Sequence, residues 1–449
     1  MTPAPAQHVS AAEPRTFLQD EVFARVTRRF VPLLFICYVL NYVDRTNIGF
    51  AQLQMKGDLG LSDAAYGLGA GVFFITYSLL AVPCNLLMTR IGARKTIFAS
   101  LFLWGITSSC TMFVHTAMQF YAIRGLLGVV ESGFFPGVIY YFTEWFPSHR
   151  RGNVIGIFQS ATVVAGVVSG VASGALITYL NGYWHLRGWQ WMFFLEGLPS
   201  LLVAFVVLFY LDDRPSQANW LSEDEKAAIL DALESDPAKA AGRQSLGRML
   251  LNGRVYLLGV IFFLAVVGTY VLAFWQPSLI RNMGVSSIMK IGIYSTIPSI
   301  AAVIAKVWIG RHSDKVREFS WHFAAPAFAG ALGMLLIPLV PHNPIVGIAF
   351  LTLATAGVHG CIPTFWTIPG LYLSGTAAAA GIALISTIGN VAGFVGPSSL
   401  GYIKNATGGF AVGMFLMSGM LVLGAVLVLA MAPGRGPAPL DADANRRSR

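Results

Sequence analysis

Twelve apolar runs, each long enough to cross a lipid bilayer as a helix, recur along the 449 residues of this chain. About 20 mainly apolar residues span a bilayer core, where helices satisfy their own backbone hydrogen bonds. The runs lie at about 30–50, 66–88, 96–114, 119–142, 153–179, 191–211, 256–279, 290–310, 322–340, 344–366, 377–402 and 409–431. Only 11% of the residues are charged, against about 25% in soluble domains. We therefore predict an all-α membrane protein with twelve transmembrane helices.

A polar stretch at residues 212–255 divides these helices into two sets of six. Ser222 precedes three acidic residues there, which predicts a capped surface helix within the loop. Short basic turns follow the second helix of each half and indicate a weak internal repeat. The predicted segments are a cytoplasmic N-terminal tail at 1–29, a six-helix bundle at 30–211, a cytoplasmic linker loop at 212–255, a second six-helix bundle at 256–431 and a cytoplasmic C-terminal tail at 432–449.

The distribution of positive charge predicts the orientation of the helices. With the N-terminus inside, predicted cytoplasmic segments hold 22 of the 30 Lys and Arg residues, and predicted outer segments hold five. This asymmetry follows the positive-inside rule and places both termini in the cytoplasm. The net charge of +9 therefore reflects topology, and we do not expect nucleic acid as a partner. The N-terminus lacks a signal-peptide pattern, so we expect insertion through the first helix.

Two pairs of ionisable residues lie inside predicted helices of the first half, namely Asp44 with Arg45 and Arg124 with Glu131. Charges at such depth are costly unless paired or solvated, which makes them candidates for function. Helix geometry places Arg45 and Arg124 at similar depth in the outer half of the membrane. Because arginine binds carboxylates bidentately, the two predict an anion site. The alternative is that Arg124 pairs with Asp44 and only fixes two helices together.

Glu131 lies seven residues after Arg124 and so faces the same way, near the middle of the membrane. Burial favours a protonated carboxyl group, whereas a neighbouring arginine favours the ionised one. Such a balance suits a group that gains and loses a proton during transport, and we predict this role for Glu131 with Asp44 as its partner. A structural salt bridge is the alternative for Glu131.

Several motifs resemble those of the major facilitator superfamily. The turn with Gly310, Asp314 and Lys315 is similar to its Gly-x-x-x-Asp-Arg/Lys loop signature, and Arg124-x-x-x-Gly128 is similar to its helix-4 motif. The turn with Arg90, Gly92 and Arg94 resembles the same loop signature, with Thr89 in place of the acid. Three longer segments resemble the anion:cation symporter family, in its phthalate, tartrate and 4-hydroxyphenylacetate permease branch: Asn41–Ala51, Gly188–Gly197 and Gly381–Phe394.

The resemblance implies a proton-coupled symporter of a small organic anion, built as two six-helix bundles in a bacterial inner membrane. It implies proton handling by Asp44 and Glu131, anion binding by Arg45 and Arg124, and substrate contacts by Tyr77 and Asn390. Gln159 is a further candidate for substrate contact, and core packing is the alternative for Tyr77. The two basic loops would take part in gating. We expect a monomer in contact with lipid, without cofactor or metal, and both dicarboxylates and aromatic carboxylates remain open as substrates.

Other residues favour structural interpretations. Glu144 and Glu196 are predicted near helix ends, where they would cap helices or pair with loop groups. Lys306 is predicted close to the cytoplasmic end of its helix and would extend to the interface. The spacing Gly166-x-x-x-Gly170-x-x-x-Gly174 predicts close packing of helix 5.

The chain contains no catalytic triad pattern, no metal-ligand spacing and no nucleotide-binding Gly loop, so we do not predict an enzyme. A channel would not need a titratable residue at Glu131. A uniporter, an exchanger or a sensor on a transporter fold remain alternatives.

Overall fold

The computed structural model describes residues 13–236, 252–372 and 375–431, which form fifteen α-helices. In chain order they are α1 Glu13–Thr46, α2 Ile48–Asp58, α3 Asp63–Ile91, α4 Ala93–Cys110, α5 Ala117–Glu131, α6 Phe134–Trp145, α7 Ser148–Tyr179, α8 Gly188–Tyr210, α9 Glu223–Glu234, α10 Gly253–Asn282, α11 Ile288–Val316, α12 Ser320–Leu336, α13 Pro344–Tyr372, α14 Gly375–Thr407 and α15 Ala411–Met431.

Within the described residues, eleven segments are long and apolar enough to cross a membrane, with α5 and α6 together forming one of them. Helix α1 is not among the eleven, and its apolar run is bordered by Arg28 and Arg29 and contains Asn41, Asp44 and Arg45 near its other end. Counted with α1, these segments are the twelve transmembrane helices predicted from the sequence. Helix α1 begins at Glu13, before the predicted start of the first bundle at residue 30.

The two halves repeat one packing scheme. In the first half the closest helix pairs are α1 with α7, α3 with α5 and α4 with α8. In the second half α10 likewise packs closely on α14, α11 on α13 and α12 on α15, and α12 also packs closely on α13. Each scheme pairs the first transmembrane helix with the fifth, the second with the fourth and the third with the sixth. The internal repeat predicted from two basic turns is therefore a repeat of the whole six-helix arrangement.

Two transmembrane helices of the first half are broken, and Pro136 explains the break between α5 and α6. Proline lacks an N–H, and its ring crowds the carbonyl four residues earlier, which here belongs to Ser132. The chain tightens at this point, where the Ser132 N–H bonds to the Val129 carbonyl at 3.3 Å. The other break follows Thr46, and Asn47 separates α1 from α2. Both breaks bring polar side chains into the core of the first half.

Glycines let the halves approach each other closely. A Cβ on Gly170 would lie 2.9 Å from the carbonyl oxygen of Gly292, and one on Gly67 would lie 2.4 Å from that of Pro397. The predicted glycine stripe of α7 therefore packs against α11 of the other half. Helix α9 confirms the predicted surface helix, because Ser222 and Glu225 form a reciprocal cap at its start.

Candidate functional site

A buried ion pair joins the two helix breaks of the first half. Arg45, in the last turn of α1, donates from Nη2 to Oε2 of Glu131, the last residue of α5, across 2.7 Å. The Glu131 side chain is fully buried, and that of Arg45 is 12% exposed. The other carboxylate oxygen of Glu131 has no hydrogen-bond donor among the described residues. One predicted anion-binding residue thus bonds directly to one predicted proton-handling residue.

Arg124 lies beside this pair and forms no ion pair with a residue that the structure describes. Only 2% of the residue is exposed, and none of its three guanidinium nitrogens hydrogen-bonds to a described residue. Its guanidinium carbon lies 5.1 Å from the centroid of the Phe73 ring, and that of Arg45 lies 5.0 Å from the same centroid. The two guanidinium groups therefore contact one aromatic ring through cation–π interactions.

Close packing of α5 on α3 holds Arg124 in this position. A Cβ on Gly128 would lie 2.2 Å from the carbonyl oxygen of Phe73 and 2.3 Å from Oγ1 of Thr76. Thr76 in turn donates to the carbonyl oxygen of Gly125 across 2.8 Å. The Arg124-x-x-x-Gly128 motif thus sets the arginine about one helical turn from the closest approach of the two helices.

Asp44 points away from both arginines. Its carboxylate accepts hydrogen bonds from Trp104 at 3.0 Å, Ser108 at 2.7 Å and Ser200 at 3.3 Å. The alternative ion pair between Asp44 and Arg124 is therefore not formed in this structure. Asp44 also has no direct bond to Glu131, its predicted partner in proton handling. Asp44 and Arg45 point about 100° apart on the helix, so Asp44 faces α4 and α8 while Arg45 faces α5.

The prediction that Glu196 lies near a helix end is wrong. It lies about two turns inside α8, 7% exposed. Its carboxylate accepts hydrogen bonds from Asn47 at 3.0 Å and Ser173 at 2.7 Å. The site therefore contains a third buried carboxylate, which anchors the break between α1 and α2 to α7 and α8. Glu144 is as expected, because it pairs with Arg214 at 3.6 Å at the end of α6.

Two tyrosines, one from each half, lie on the side of Arg45 where Phe73 packs. The Tyr77 ring lies 5.2 Å from the guanidinium carbon and stacks on Phe73 at 5.7 Å. Tyr270, on α10 of the second half, packs on Phe74 with the ring centroids 4.5 Å apart, and Phe74 packs on Phe73 at 5.0 Å. The sequence gives no signal for Tyr270, because a tyrosine in a long apolar helix does not stand out. Tyr270 brings the second half to the site.

Gln159 and Asn390 lie farther from the charged groups. Gln159 on α7 is exposed, and Asn390 on α14 is partly buried. Neither side chain hydrogen-bonds to the charged residues described above. Asn390 is three residues from Gly393, where a Cβ would lie 2.3 Å from the ring of Phe74. Asn390 therefore belongs to the part of α14 that packs on the first half.

The two basic loops differ in structure. In the first, Gly92 has a φ of +93°, and the carboxylate of Asp213 accepts a hydrogen bond from the Arg94 N–H at 2.8 Å. Asp213, which follows α8, thus supplies a carboxylate to the loop whose motif has Thr89 in place of the acid. The side chain of Arg90 is exposed. The second predicted turn is wrong, because Gly310, Asp314 and Lys315 all lie within the last turns of α11. Gly310 packs near Pro363, and Asp314 and Lys315 are exposed.

A cavity separates the two halves next to Tyr42 and Thr46 of α1, and we call it the central cavity. Lys306 of α11 and His359 of α13 line it from the other side. The interpretation that Lys306 extends to the membrane interface is therefore wrong. It rested on a helix ending near residue 310, whereas α11 continues to Val316, about three turns beyond Lys306.

Comparison with known proteins agrees with this fold. The family described as Major Facilitator Superfamily matches residues 34–397. A solved bacterial homologue of the human lysosomal transporter Spinster, in an inward-facing and occupied conformation, superposes with a TM-score of 0.74 at 18% identity. The match covers 91% of this chain and 98% of that structure, and at this identity it shows the fold alone.

Curated relatives are more similar in sequence. A protein named "Putative tartrate transporter" from Agrobacterium vitis is 42% identical, over 92% of this chain and 95% of the relative. A "Putative metabolite transport protein NicT" from Pseudomonas putida is 39% identical, over 91% and 94%. The chain belongs to the major facilitator superfamily and is a membrane transporter, not an enzyme, of the phthalate- and tartrate-permease-like branch.

Proposed function

We propose that the protein is a proton-coupled symporter that carries a small organic anion by alternating access. The observation that carries the proposal is the buried Arg45–Glu131 ion pair beside the unpartnered Arg124. The name of the Agrobacterium vitis relative, a putative tartrate transporter, supports a carboxylate as the anion. Arg45 and Arg124 are the proposed binding groups, with Tyr77, Gln159 and Asn390 as further substrate contacts.

Competition for Arg45 would couple the proton to the anion. While Glu131 is ionised, it occupies one side of the Arg45 guanidinium. Protonation of Glu131 removes the charge that holds the pair and frees Arg45 for a substrate carboxylate. A carboxylate bound to Arg45 in turn favours protonated Glu131, because two like charges would otherwise meet. Binding of one therefore promotes binding of the other, and this reciprocity is the thermodynamic basis of symport.

Asp44 is proposed as a second proton-handling group that acts on the helices rather than on the substrate. Its carboxylate joins α1 to Trp104 and Ser108 of α4 and to Ser200 of α8. Protonation would weaken these charge-assisted hydrogen bonds, which are stronger than neutral ones, and so loosen α1 from its neighbours. The loop residues Arg90, Gly92, Arg94, Gly310, Asp314 and Lys315 are proposed to form the cytoplasmic gate.

The proposed location is a bacterial inner membrane, with both termini in the cytoplasm and the protein acting as a monomer. The asymmetry of Lys and Arg supports this orientation.

Transport into proteoliposomes tests the coupling. Wild-type protein should concentrate labelled tartrate when a pH gradient is imposed with the outside acidic. Glu131→Gln mimics the protonated carboxyl, so it should still exchange tartrate across the membrane at equal concentrations but should no longer concentrate it. Glu144→Gln, at the end of α6, is the matched control and should behave like the wild type.

Two results would contradict the proposal. Uphill uptake by Glu131→Gln would mean that the proton takes another route. Wild-type protein that exchanges tartrate but never concentrates it would be an exchanger or uniporter instead.

A further inference from the structure

The central cavity carries a positive charge of its own. Six serine and threonine side chains line it, three from each half: Thr46, Thr162, Ser169, Ser295, Ser299 and Thr355. Its cationic group is Lys306 on α11, and His359 on α13 lines the same cavity. No carboxylate is among the described residues that line the cavity. The cavity is thus polar, rich in hydroxyl groups and cationic at one end.

Lys306 has no counter-ion within its own half. Between residues 256 and 431 the sequence contains only two acidic residues, Asp314 and Glu318, both around the turn that follows α11. With the residues that the structure describes, the Lys306 ammonium forms neither a hydrogen bond nor an ion pair. A lysine inside a membrane protein normally has an anionic partner or a polar route, because an uncompensated charge there is costly.

The buried carboxylates of the first half have other partners. Asp44 accepts three hydrogen bonds from α4 and α8, Glu131 pairs with Arg45, and Glu196 accepts bonds from Asn47 and Ser173. None of these carboxylates is therefore available to Lys306, and a substrate anion that enters the central cavity would supply its counter-ion.

We propose that Lys306, with His359 beside it, binds the second carboxylate of a hydroxylated dicarboxylate substrate. The inference rests on the proposed function, in which Arg45 and Arg124 bind the first carboxylate. Tyr42, about one helical turn before Arg45 on α1, and Thr46, directly after Arg45, both line the central cavity and connect the two places. Gln276 is fixed in the cavity wall by its hydrogen bond to the Ser295 carbonyl at 2.9 Å. Together with the lining hydroxyl groups, it suits the hydroxyls of such a substrate.

A comparison of two ligands that differ in one carboxylate isolates this subsite. Tartrate carries two carboxylates, and 2,3,4-trihydroxybutanoate has a hydroxymethyl group in place of one of them. Calorimetric titration of the purified protein at one fixed pH should give tighter binding of tartrate. Lys306→Met should weaken tartrate binding about tenfold or more, as expected for a lost charge-assisted hydrogen bond, and should leave the monocarboxylate almost unchanged. Lys306→Arg should keep most of the preference.

The matched control is Lys290→Met, because Lys290 lies on the same helix α11 but is exposed at its start. It should bind both ligands like the wild type. If Lys306→Met does not purify as a monodisperse protein, His359→Gln replaces it and should selectively weaken tartrate binding.

The outcomes separate the two proposals. Equal losses for both ligands in Lys306→Met, or no preference for tartrate in the wild type, would overturn the subsite alone. Failure of the wild type to bind either ligand would overturn the proposed substrate class as well. These outcomes do not depend on proton coupling, since binding is measured without a pH gradient.

Discussion

The carboxylate of Asp63 accepts a hydrogen bond from the ammonium group of Lys404 across 2.9 Å, and this ion pair joins the two halves of the transporter. Asp63 begins α3 of the first half, and Lys404 lies in the last turn of α14 in the second. Lys56 of the first half pairs with the same carboxylate. Further contacts between the halves gather at this predicted outer end, including the bond from Arg281 to the Leu53 carbonyl at 2.7 Å. The described structure is therefore closed on that side.

Loss of the Asp63–Lys404 pair should favour opening of the outer end. Both side chains are about one-fifth exposed, so the pair should contribute up to about 1 kcal/mol, or roughly a fivefold change in the ratio of closed to open protein. We expect Lys404→Gln to increase the population with long distances between spin labels at Gly57 and Ala406. Double electron–electron resonance in a background without native cysteines measures these distances.

Lys56→Gln is the control for this experiment, because Lys56 and Asp63 belong to the same half. It should leave the distance distribution unchanged. Equal opening in Lys56→Gln and Lys404→Gln would show that local charge, and not the bond between the halves, controls the outer end.

Replacement of either binding arginine by lysine should impair anion binding while the protein still folds. Lysine keeps the charge but lacks the planar fork that binds a carboxylate through two hydrogen bonds. For Arg45→Lys and Arg124→Lys we expect affinity for tartrate to fall about tenfold or more, since a hydrogen bond to a charged group contributes about 1.5–3 kcal/mol. Binding to the purified variants measures the effect. Arg187→Lys, at an exposed ion pair with Asp58, is the control and should bind tartrate like the wild type. Normal transport by both Arg45→Lys and Arg124→Lys would refute the arginine site.

Sequence periodicity predicted the spans well but not the partners of the buried charges. Hydrophobic runs determine where the helices lie, but the pairing of helices within each half is visible only in the structure. Asp44 and Arg45 are adjacent in the sequence, yet they contact different neighbours, since Asp44 bonds to α4 and α8 and Arg45 bonds to α5. Helix geometry gives their angular separation, but only the packed bundle determines which neighbour each side chain faces.

The predictions for Glu196 and Lys306 are wrong because the predicted helix ends are wrong. The helices that carry these two residues extend further than the apolar runs. Asp213 shows a different limit, because it supplies a carboxylate to a loop that is far away in the sequence. The motif at Thr89 gave no indication of this substitute acid.

The orientation of the helices can be tested with cysteine variants and an impermeant thiol reagent in intact cells. Ser216 is exposed in the linker after α8, and Gly57 is exposed at the other end of the bundle. With the linker in the cytoplasm, Gly57→Cys should be labelled and Ser216→Cys should be labelled only after the cells are permeabilised. Labelling of Ser216→Cys in intact cells would reverse the orientation, and with it the assignment of the closed end to the outside.

The position of Arg124 should depend on Gly128, one helical turn away, and not on the adjacent Gly125. A Cβ on Gly128 would lie 2.2 Å from the backbone oxygen of Phe73, so α5 would have to move away from α3. A Cβ on Gly125 would come no closer than 3.5 Å to a side chain of α3, which is ordinary contact. We expect Gly128→Ala to weaken tartrate binding and to lower the thermal stability of the purified protein, at a cost of about 1–3 kcal/mol for overpacking. Gly125→Ala should match the wild type in both measurements. Equal behaviour of the two variants would show that the close approach of α3 and α5 does not set the position of Arg124.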